Sequence, residues 1–405
     1  MNMRSNGILE TQRLFNKQYI MINLIAFILF LADYIATTTV PLYAHEIGGT
    51  ASTAGVFMSV ISLTALVVRP LLGHVMDTKT RKLVLVIGII SLGIAALFYG
   101  FAASIPMLLI LAVFHGLSVS AITTAAPTVV ADVTLPSRLA EGISMNGVAM
   151  NLTTAVGPIA ALYLINKLNY SLTFEVAFGI VLLGLALSVS INYEKKKQKS
   201  AAKPRVNFNI KTLFEKTAFK PSIYQIFLAF GVSVIFTFIP LYGQSRGVDH
   251  IGLFFTFYAA ATVIISFFTG KLVDKFGTRT VFIPGLILQM IAFLILAFAN
   301  ALPLIIAAAI LYGIGYGASF AIVNIIGMES APRDRKGAAN ATMYAAMDIG
   351  VAIGSIILGF VSTEFGFTAT FIITAVMIFF DLIIFGFLHK EPSIHRPVID
   401  DHMLS

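Results

Sequence analysis

Long uninterrupted apolar runs, separated by short polar connections, make up most of the chain. A hydrocarbon core about 30 Å thick is crossed by roughly 20 apolar residues in a helix, whereas membrane β-strands alternate polar and apolar positions. The runs therefore predict an all-α polytopic membrane protein. Twelve transmembrane spans are predicted, at residues 19–43, 51–75, 83–103, 105–131, 139–165, 172–193, 221–242, 251–273, 280–299, 302–327, 337–363 and 367–388.

Composition agrees with this pattern and excludes several classes of function. Hydrophobic residues make up 58% of the chain and charged residues 11%, against roughly 25% charged in soluble domains. The chain has no cysteine, which excludes disulfides, thiol catalysis and cysteine-held metals. It also has no phosphate-binding Gly-Lys-Ser/Thr loop, so ATP is not the direct energy source. We expect no enzyme activity, no cofactor and no metal site, since Asp33 and His115 do not form one by spacing.

The basic residues are distributed very unevenly between the two sides of the predicted bundle. All 27 Lys and Arg except Arg69, Lys167 and Arg246 fall in the two terminal segments and the even-numbered connections. An excess of Lys and Arg marks the cytoplasmic side of a membrane protein. The net charge of +8 is therefore interpreted as a topology signal and not as a nucleic-acid surface. We expect both termini to be cytoplasmic and the protein to lie in a bacterial-type plasma membrane.

The second half of the chain repeats the first at an offset of 197 residues. Six spans return each half to its starting side, so the halves are parallel repeats related by an axis along the membrane normal, with the substrate site between them. We predict one six-helix bundle at residues 1–193, a basic cytoplasmic linker at 194–220 and a second bundle with a short tail at 221–405. The matched pairs are Gly55 and Gly252, Gly73 and Gly270, Asp77 and Asp274, Gly116 and Gly313, Asp132 and Glu329, Arg138 and Arg335, Gly157 and Gly354, and Phe174 and Phe371.

The connection after span two and its repeat carry a recognisable motif. Residues 73–82 read GHVMDTKTRK and residues 270–279 read GKLVDKFGTR. They resemble the loop signature of the major facilitator superfamily, although Thr78 and Thr80 replace the usual Arg and Gly in the first copy. The resemblance covers essentially the whole chain and implies a latch that holds the cytoplasmic side closed; alternatively, these charges only fix topology and loop turns. The motif residues are Gly73, Asp77, Arg81, Lys82, Gly270, Asp274 and Arg279.

Spans four and five indicate a branch of that superfamily. Gly157-Pro158 in span five resembles the antiporter motif of drug:proton exporters, although a membrane Pro is also an ordinary kink. Such exporters typically have Arg-x-x-Gln-Gly in span four, whereas this chain has His115 at the Gln position and lacks the Arg. His115 is either a titrating group, because imidazole changes charge near neutral pH, or a hydrogen-bonded packing residue.

Charged residues inside the spans are costly, at roughly 2.5–3.5 kcal/mol each at mid-helix, so each one requires a reason. Asp33 in span one is the best candidate for proton exchange, because desolvation favours the neutral form of a carboxyl group. It resembles the acid that drug exporters of this superfamily carry in their first helix. The alternative is a structural pair of Asp33 with Arg69 or with a polar partner. Arg69 itself either snorkels to the interface or pairs with an acid within the bundle.

Other polar positions in the spans are weaker candidates. Asp348 in span eleven has Tyr344 one turn before it and is the repeat partner of Asn151, so it either faces the cavity or makes a packing hydrogen bond. In span ten, Tyr316 belongs to an aromatic stripe that serves either ligand contact or packing. Whether Asp381 in span twelve titrates is left open.

Together these features predict a secondary transporter, a proton-driven exporter of amphipathic or cationic small molecules of the multidrug type. Its expected partners are the substrate, protons and the lipid bilayer, and we expect a monomer. The alternatives are an exporter of a metallophore or sugar, a nutrient importer on the same fold, and a non-transporting receptor or scaffold.

Overall fold

The computed structural model describes residues 16–135, 138–190, 214–332 and 335–388, apart from the side chains of residues 77, 139–141 and 144. Within these ranges the chain is helical and contains no strand. Most of the predicted linker and tail lie outside the described residues, and the predicted domain boundaries stay a prediction. The helices are α1 Lys17–Glu46, α2 Ala51–Thr78, α3 Arg81–Tyr99, α4 Ile105–Val133, α5 Leu139–Lys167, α6 Tyr170–Val189, α7 Phe219–Arg246, α8 Leu253–Phe276, α9 Thr278–Phe298, α10 Leu302–Ser330 and α11 Lys336–Leu388.

All eleven helices are long and apolar enough to cross a membrane. The last has 53 residues, about 80 Å at 1.5 Å per residue, which is too long for one crossing. Its helical geometry breaks at Gly366, where φ is 79° and ψ is 173°. The segments before and after Gly366 correspond to predicted spans eleven and twelve, so the described residues contain the expected twelve spans.

Side-chain caps help to define where several helices begin. The side chains of Asn16, Thr80 and Asn169 accept hydrogen bonds from backbone N–H groups three residues later, at 2.9, 3.1 and 2.8 Å. Each cap satisfies a donor that the first helical turn leaves open. Since the connections between spans are only a few residues long, these caps fix the boundaries that hydropathy gives only approximately.

The internal repeat is visible in equivalent helix contacts. An added Cβ at Gly116 of α4 would lie 2.7 Å from the Cβ of Thr64 in α2, and one at Gly313 of α10 would lie 2.8 Å from the Cβ of Ala261 in α8. Thr64 and Ala261 are themselves 197 residues apart, so both halves use the same close approach between the same pair of helices. The two six-helix bundles are therefore structural repeats, as predicted.

The bundle has two ends, called the linker end and the far end. The linker end contains the start of α1 and the α2–α3 connection, and the far end contains the α1–α2 connection. At the far end, α2 and α11 pack closely across the two halves. The Ser52 N–H donates to Thr363 Oγ1 at 2.9 Å, and an added Cβ on Gly55 would lie 3.1 Å from the Cα of Gly359. This antiparallel contact, called the α2–α11 seam, joins the halves at the far end.

Candidate transport site

Three buried polar side chains, those of Asp33, His115 and Tyr99, form a hydrogen-bonded chain in the N-terminal half. His115 Nε2 lies 2.7 Å from Asp33 Oδ1, and its Nδ1 lies 3.1 Å from the Tyr99 hydroxyl. His115 and Tyr99 are fully buried and Asp33 is 8% exposed. Phe57 packs against both rings, with centroids 5.9 Å from Tyr99 and 6.3 Å from His115. The chain therefore lies in an apolar setting where an unmade hydrogen bond is costly.

The Asp33–His115–Tyr99 chain can take up one proton while keeping two hydrogen bonds among its three side chains. With Asp33 ionised, Nε2–H of His115 donates to the carboxylate and Nδ1 accepts from the Tyr99 hydroxyl. With Asp33 protonated, the acid donates to Nε2, and Nδ1–H donates to the Tyr99 oxygen, whose own hydroxyl proton turns away. The change needs only the other imidazole tautomer, because each ring nitrogen can donate or accept. The geometry therefore suits reversible protonation.

The antiporter-like motif lies against the same region. An added Cβ on Gly157 of α5 would overlap the Tyr34 side chain of α1, next to Asp33. The Tyr34 ring also contacts Phe236 of the other half, with centroids 5.3 Å apart. Gly157 thus allows α5 to approach α1 at the residue beside the candidate proton site, and Pro158 follows it inside the helix.

A second polar cluster joins the two halves through an ion pair. Arg69 of α2 donates from Nη2 and Nε to Asp348 Oδ2 of α11, at 2.7 and 3.2 Å. Its Nη1 donates to the hydroxyls of Thr123 and Thr124 in α4, at 3.0 and 3.4 Å. The guanidinium carbon also lies 5.4 Å from the centre of the Tyr344 ring. Arg69 therefore pairs with an acid of the opposite half and neither snorkels nor pairs with Asp33. Asp33 has His115 as its polar partner, so the structural alternative for Asp33 stays open.

A cavity of about 430 Å³ begins at this ion pair and extends toward the linker end. Arg69, Thr123 and Tyr344 contribute polar groups to its wall, and Met76 and Phe214 contribute apolar ones. The α2–α11 seam is thus closed from the far end as far as Arg69 and Asp348, and a space lies between the halves beyond them. A larger cavity of about 610 Å³ lies at the far end, between the end of α5 and the end of α7 with the α7–α8 connection.

The loop-signature residues make local contacts. Arg81 Nε lies 2.7 Å from Asp132 Oδ2, and Lys82 Nζ donates to the Val189 carbonyl at 3.2 Å, both within the N-terminal half. An added Cβ at Gly73 or Gly270 would meet no atom within 4 Å, so neither glycine serves a close helix approach in this arrangement. Asp274 is exposed, Arg279 lies at the start of α9, and the Asp77 side chain lies outside the described residues. The latch stays a prediction.

Three other candidates lie apart from the two clusters. Tyr316 is buried and stacks between Tyr312 and Phe320, with centroids 5.6 and 5.5 Å away. Asn151 lies on α5, where its carbonyl accepts from Thr154 Oγ1 at 2.7 Å. Asp381 is fully buried, and neither of its carboxyl oxygens has a hydrogen-bond partner among the described residues.

Comparison with known proteins decides the family. Residues 22–251 and 247–401 match the Major Facilitator Superfamily. The chain belongs to the major facilitator superfamily.

Relatives within the superfamily extend over much of the chain. It is 24% identical to the staphylopine export protein of Staphylococcus aureus (strain Mu50) over 391 residues, 92% of this chain and 96% of that protein. It is 21% identical to the quinolone resistance protein NorA of the same strain over 299 residues, 70% of this chain and 74% of NorA. These relatives indicate that this superfamily member is a membrane transporter that resembles the drug antiporter branch.

Solved structures support the same fold. A POT family transporter in complex with a thioalcohol-conjugated peptide matches with a TM-score of 0.75 over 91% of this chain and 95% of that one, at 15% identity. At that identity the likeness concerns the fold alone.

The structure of this superfamily member adds residues that sequence reasoning missed. Tyr99 completes the Asp33–His115 chain, and Thr123 and Thr124 hold the Arg69 guanidinium. The threonines belong to a run of hydroxyl residues in span four, which is a usable signal on an otherwise apolar helix. Tyr99 gave no signal, since an aromatic residue near the end of a span is common at a membrane interface.

A clamp at the start of the second half was also missed. Arg335 Nε donates to the Glu215 carboxylate, and its Nη2 donates to the Phe214 carbonyl at 2.9 Å. The Glu215 N–H donates to Thr342 Oγ1 at 2.9 Å. The hydrogen bond from Arg335 is the main reason that the pKa of Glu215 is lowered, and a hydrogen bond from Thr217 adds to it. The clamp holds Phe214 in the cavity wall.

Proposed function

We propose that this transporter is a proton-driven exporter of amphipathic small molecules, including cations, and that it works as a monomer in a bacterial-type plasma membrane with both termini cytoplasmic. The observation that carries the proposal is the buried Asp33–His115–Tyr99 chain. Burying ionisable side chains inside a membrane bundle costs free energy, so such residues commonly have a function. The ability of these three side chains to add one proton while keeping two hydrogen bonds among them suits a group that loads and unloads protons in each cycle.

In this proposal a proton from outside enters the Asp33–His115–Tyr99 chain and substrate occupies the cavity between the halves. Each ligand shifts the equilibrium between inward-open and outward-open states, because each binds one state better than the other. In this orientation the cavity beside Arg69 lies on the cytoplasmic side of the closed part of the α2–α11 seam, and the larger far-end cavity lies on the outer side.

Helix α4 supplies a physical connection between the two sites. It carries His115 of the proton chain and Thr123, which contacts Arg69 in the inter-half cluster. Their separation of eight positions corresponds to about 12 Å along the helix axis. A tilt of α4 on protonation would therefore move the group that holds Arg69, which gives the proton site an effect on the contact between halves.

The test uses purified protein in vesicles with an imposed proton gradient and ethidium, a planar lipophilic cation, as the transported probe. We expect Asp33→Asn and His115→Gln to lose gradient-driven transport while still binding the probe. Glu364→Gln, which alters an exposed acid at the far end, is the matched control and should transport normally. Full gradient-driven transport by Asp33→Asn would overturn the proposed role of the chain.

A second candidate keeps export but changes the cargo. The staphylopine export protein matches over 92% of this chain, whereas the NorA match covers 70%, which favours a dedicated natural product such as a metallophore over a range of drugs. A sugar exporter, a nutrient importer and a non-transporting receptor remain alternatives. Reversing the imposed gradient separates export from import, and substrate-stimulated proton release from purified protein separates a transporter from a receptor.

A further inference from the structure

The inter-half site has Arg69 in the wall of a cavity and its partner Asp348 about one helical turn beyond the lining residues Tyr344 and Ala345. The side chains of Arg69 and Asp348 are 8% and 13% exposed, so both charges are largely removed from solvent. The cavity beside them, about 430 Å³, falls within the roughly 300–1,000 Å³ typical of small-molecule sites. The chemistry of this pair sets limits on what the cavity can hold.

The guanidinium of Arg69 is held independently of Asp348. Nε and Nη2 both reach one carboxylate oxygen, Oδ2, whereas Nη1 contacts Thr123 and Thr124. The two threonine hydroxyls donate their own protons to the backbone carbonyls of Val119 and Ser120, at 2.7 and 2.6 Å. Their lone pairs are therefore free to accept from Arg69. If Asp348 turned to another partner, the threonines would keep the guanidinium at the cavity wall.

A ligand with only one charge cannot bind this pair without breaking it, so an amphipathic cation such as ethidium would occupy the cavity beside the intact pair. A cation that binds Asp348 would take the carboxylate from Arg69 and leave a buried guanidinium without its counter-ion, which is strongly unfavourable. An anion that binds Arg69 would leave Asp348 in the same position. A ligand with both charges replaces one ion pair by two and leaves neither side chain unpaired. The planar guanidinium can also bind a carboxylate through two parallel hydrogen bonds.

We propose that Arg69 and Asp348 recognise a zwitterionic amphiphile, with its carboxylate on Arg69 and its ammonium group on Asp348. The chemical class is that of an amino acid derivative or small peptide with an apolar body. The Arg69 guanidinium already lies over the Tyr344 ring, and the apolar body of the ligand lies against Met76 and Phe214. The inference deepens the proposed transport function, on which it rests, by naming the substrate class.

The test measures binding to the purified full chain at equilibrium with three probes of the same shape. They are phenylalanyl-phenylalanine, its C-terminal amide, which lacks the carboxylate, and its N-acetyl derivative, which lacks the ammonium group. We expect the zwitterion to bind at least about tenfold more tightly than either derivative. Equal binding by either derivative, or a zwitterion Kd weaker than about 1 mM, would overturn the proposal.

Variants assign each charge to its residue. In Arg69→Gln the free dipeptide and its amide should bind equally, and in Asp348→Asn the free dipeptide and its N-acetyl form should bind equally. If Arg69→Gln kept the tenfold preference for a free carboxylate, the assignment would be wrong. Glu364→Gln should keep both preferences.

The charge-exchanged double variant R69D/D348R covers the case in which a single variant fails to fold. It keeps an ion pair between the halves but removes the guanidinium from Thr123 and Thr124. We expect it to fold and to lose the preference for the zwitterion by at least about tenfold. Wild-type binding by this variant would mean that the pair is only a structural bond between the halves.

These binding experiments use no proton gradient and leave Asp33 unchanged, so they can fail while proton-driven export is confirmed. Conversely, gradient-independent transport by the wild type would defeat the proposed coupling and leave the binding preference intact.

Discussion

The two halves repeat the same fold, but they fill one equivalent position with different chemistry. At the offset of 197 residues, His115 of the first half corresponds to Tyr312 of the second. His115 joins the hydrogen-bonded chain with Asp33 and Tyr99, whereas Tyr312 stacks on Tyr316 with ring centroids 5.6 Å apart. The Tyr312 hydroxyl is buried and has no hydrogen-bond partner among the described residues.

Asp33 also lacks an acidic equivalent in the second half. The Pro-Leu-Tyr sequence near the end of span one recurs at an offset of 199 residues, which places Val232 at the position equivalent to Asp33. At these two positions one bundle therefore has the hydrogen-bonded pair Asp33 and His115, whereas the other has Val232 and Tyr312. Duplication supplied the scaffold, and under the proposed function the first copy is the one specialised for protons at these positions.

The largest effect is expected from making the first half resemble the second at this position. His115→Tyr should lower gradient-driven transport roughly a hundredfold, the scale of losing a positioned proton carrier. The reverse change, Tyr312→His, should leave gradient-driven transport near wild type because no acid faces it. Vesicle transport measures both variants, with His115→Gln as a smaller replacement if the tyrosine does not fit. Equal losses at the two positions would contradict the specialisation.

Helix contact beside the proton chain gives the next effect. Gly157→Ala should cost about 1–3 kcal/mol of stability, because the new methyl group overlaps Tyr34 and either helix or side chain must move. Gly270→Ala is the matched control and should be neutral or stabilising by up to about 1 kcal/mol, since nothing lies within 4 Å of its added Cβ. Thermal unfolding in detergent compares them, and an unaffected Gly157→Ala would contradict the close contact.

One buried tyrosine hydroxyl in each half gives a third comparison. Tyr99→Phe should destabilise by about 1 kcal/mol, because it removes a buried hydrogen bond to His115. Tyr312→Phe should be neutral or stabilising, because the hydroxyl it removes is buried without a partner. Unfolding measurements on the two variants should therefore differ in sign or size. A larger loss for Tyr312→Phe would mean that its hydroxyl is bonded after all.

The smallest effect concerns the clamp, which is described only on the second half. Because Arg335 lowers the pKa of Glu215, the clamp should stabilise the protein above the ordinary Glu pKa of about 4.3 and lose its contribution as the pH falls through the lower folded value. Arg335→Gln should therefore lower the thermal midpoint at pH 7, and the difference from wild type should shrink as the pH falls below the ordinary Glu pKa and through the lowered folded value. A difference that persists at acidic pH would assign it to packing rather than to the carboxylate.

Hydrophobic length and internal register were enough to predict the helical fold, the number of spans and the two halves. The bilayer fixes the length of each span, and repetition fixes the relation between halves. The predicted break near residue 366 could be located because two apolar runs meet there, even though the helix continues to either side of Gly366.

The candidate site was predicted only as separate residues. Asp33, His115, Arg69 and Asp348 were found because polar and ionisable groups are rare and costly inside spans. Their pairing was not predicted, since it depends on which helix faces touch: 82 residues separate Asp33 from His115, and 279 separate Arg69 from Asp348. Hydropathy carries no information on lateral contacts of that kind.

The single-residue break at Gly366 has a mechanical consequence. The equivalent turn in the first half places Leu168 and Asn169 between α5 and α6, whereas the last two spans meet at one glycine with positive φ. Such a corner leaves little slack between the two helical segments, so we expect rotation of the segment that carries Asp348 to move the segment that carries Asp381. The ion pair at the cavity and the buried carboxyl of the last span are thus mechanically connected through Gly366.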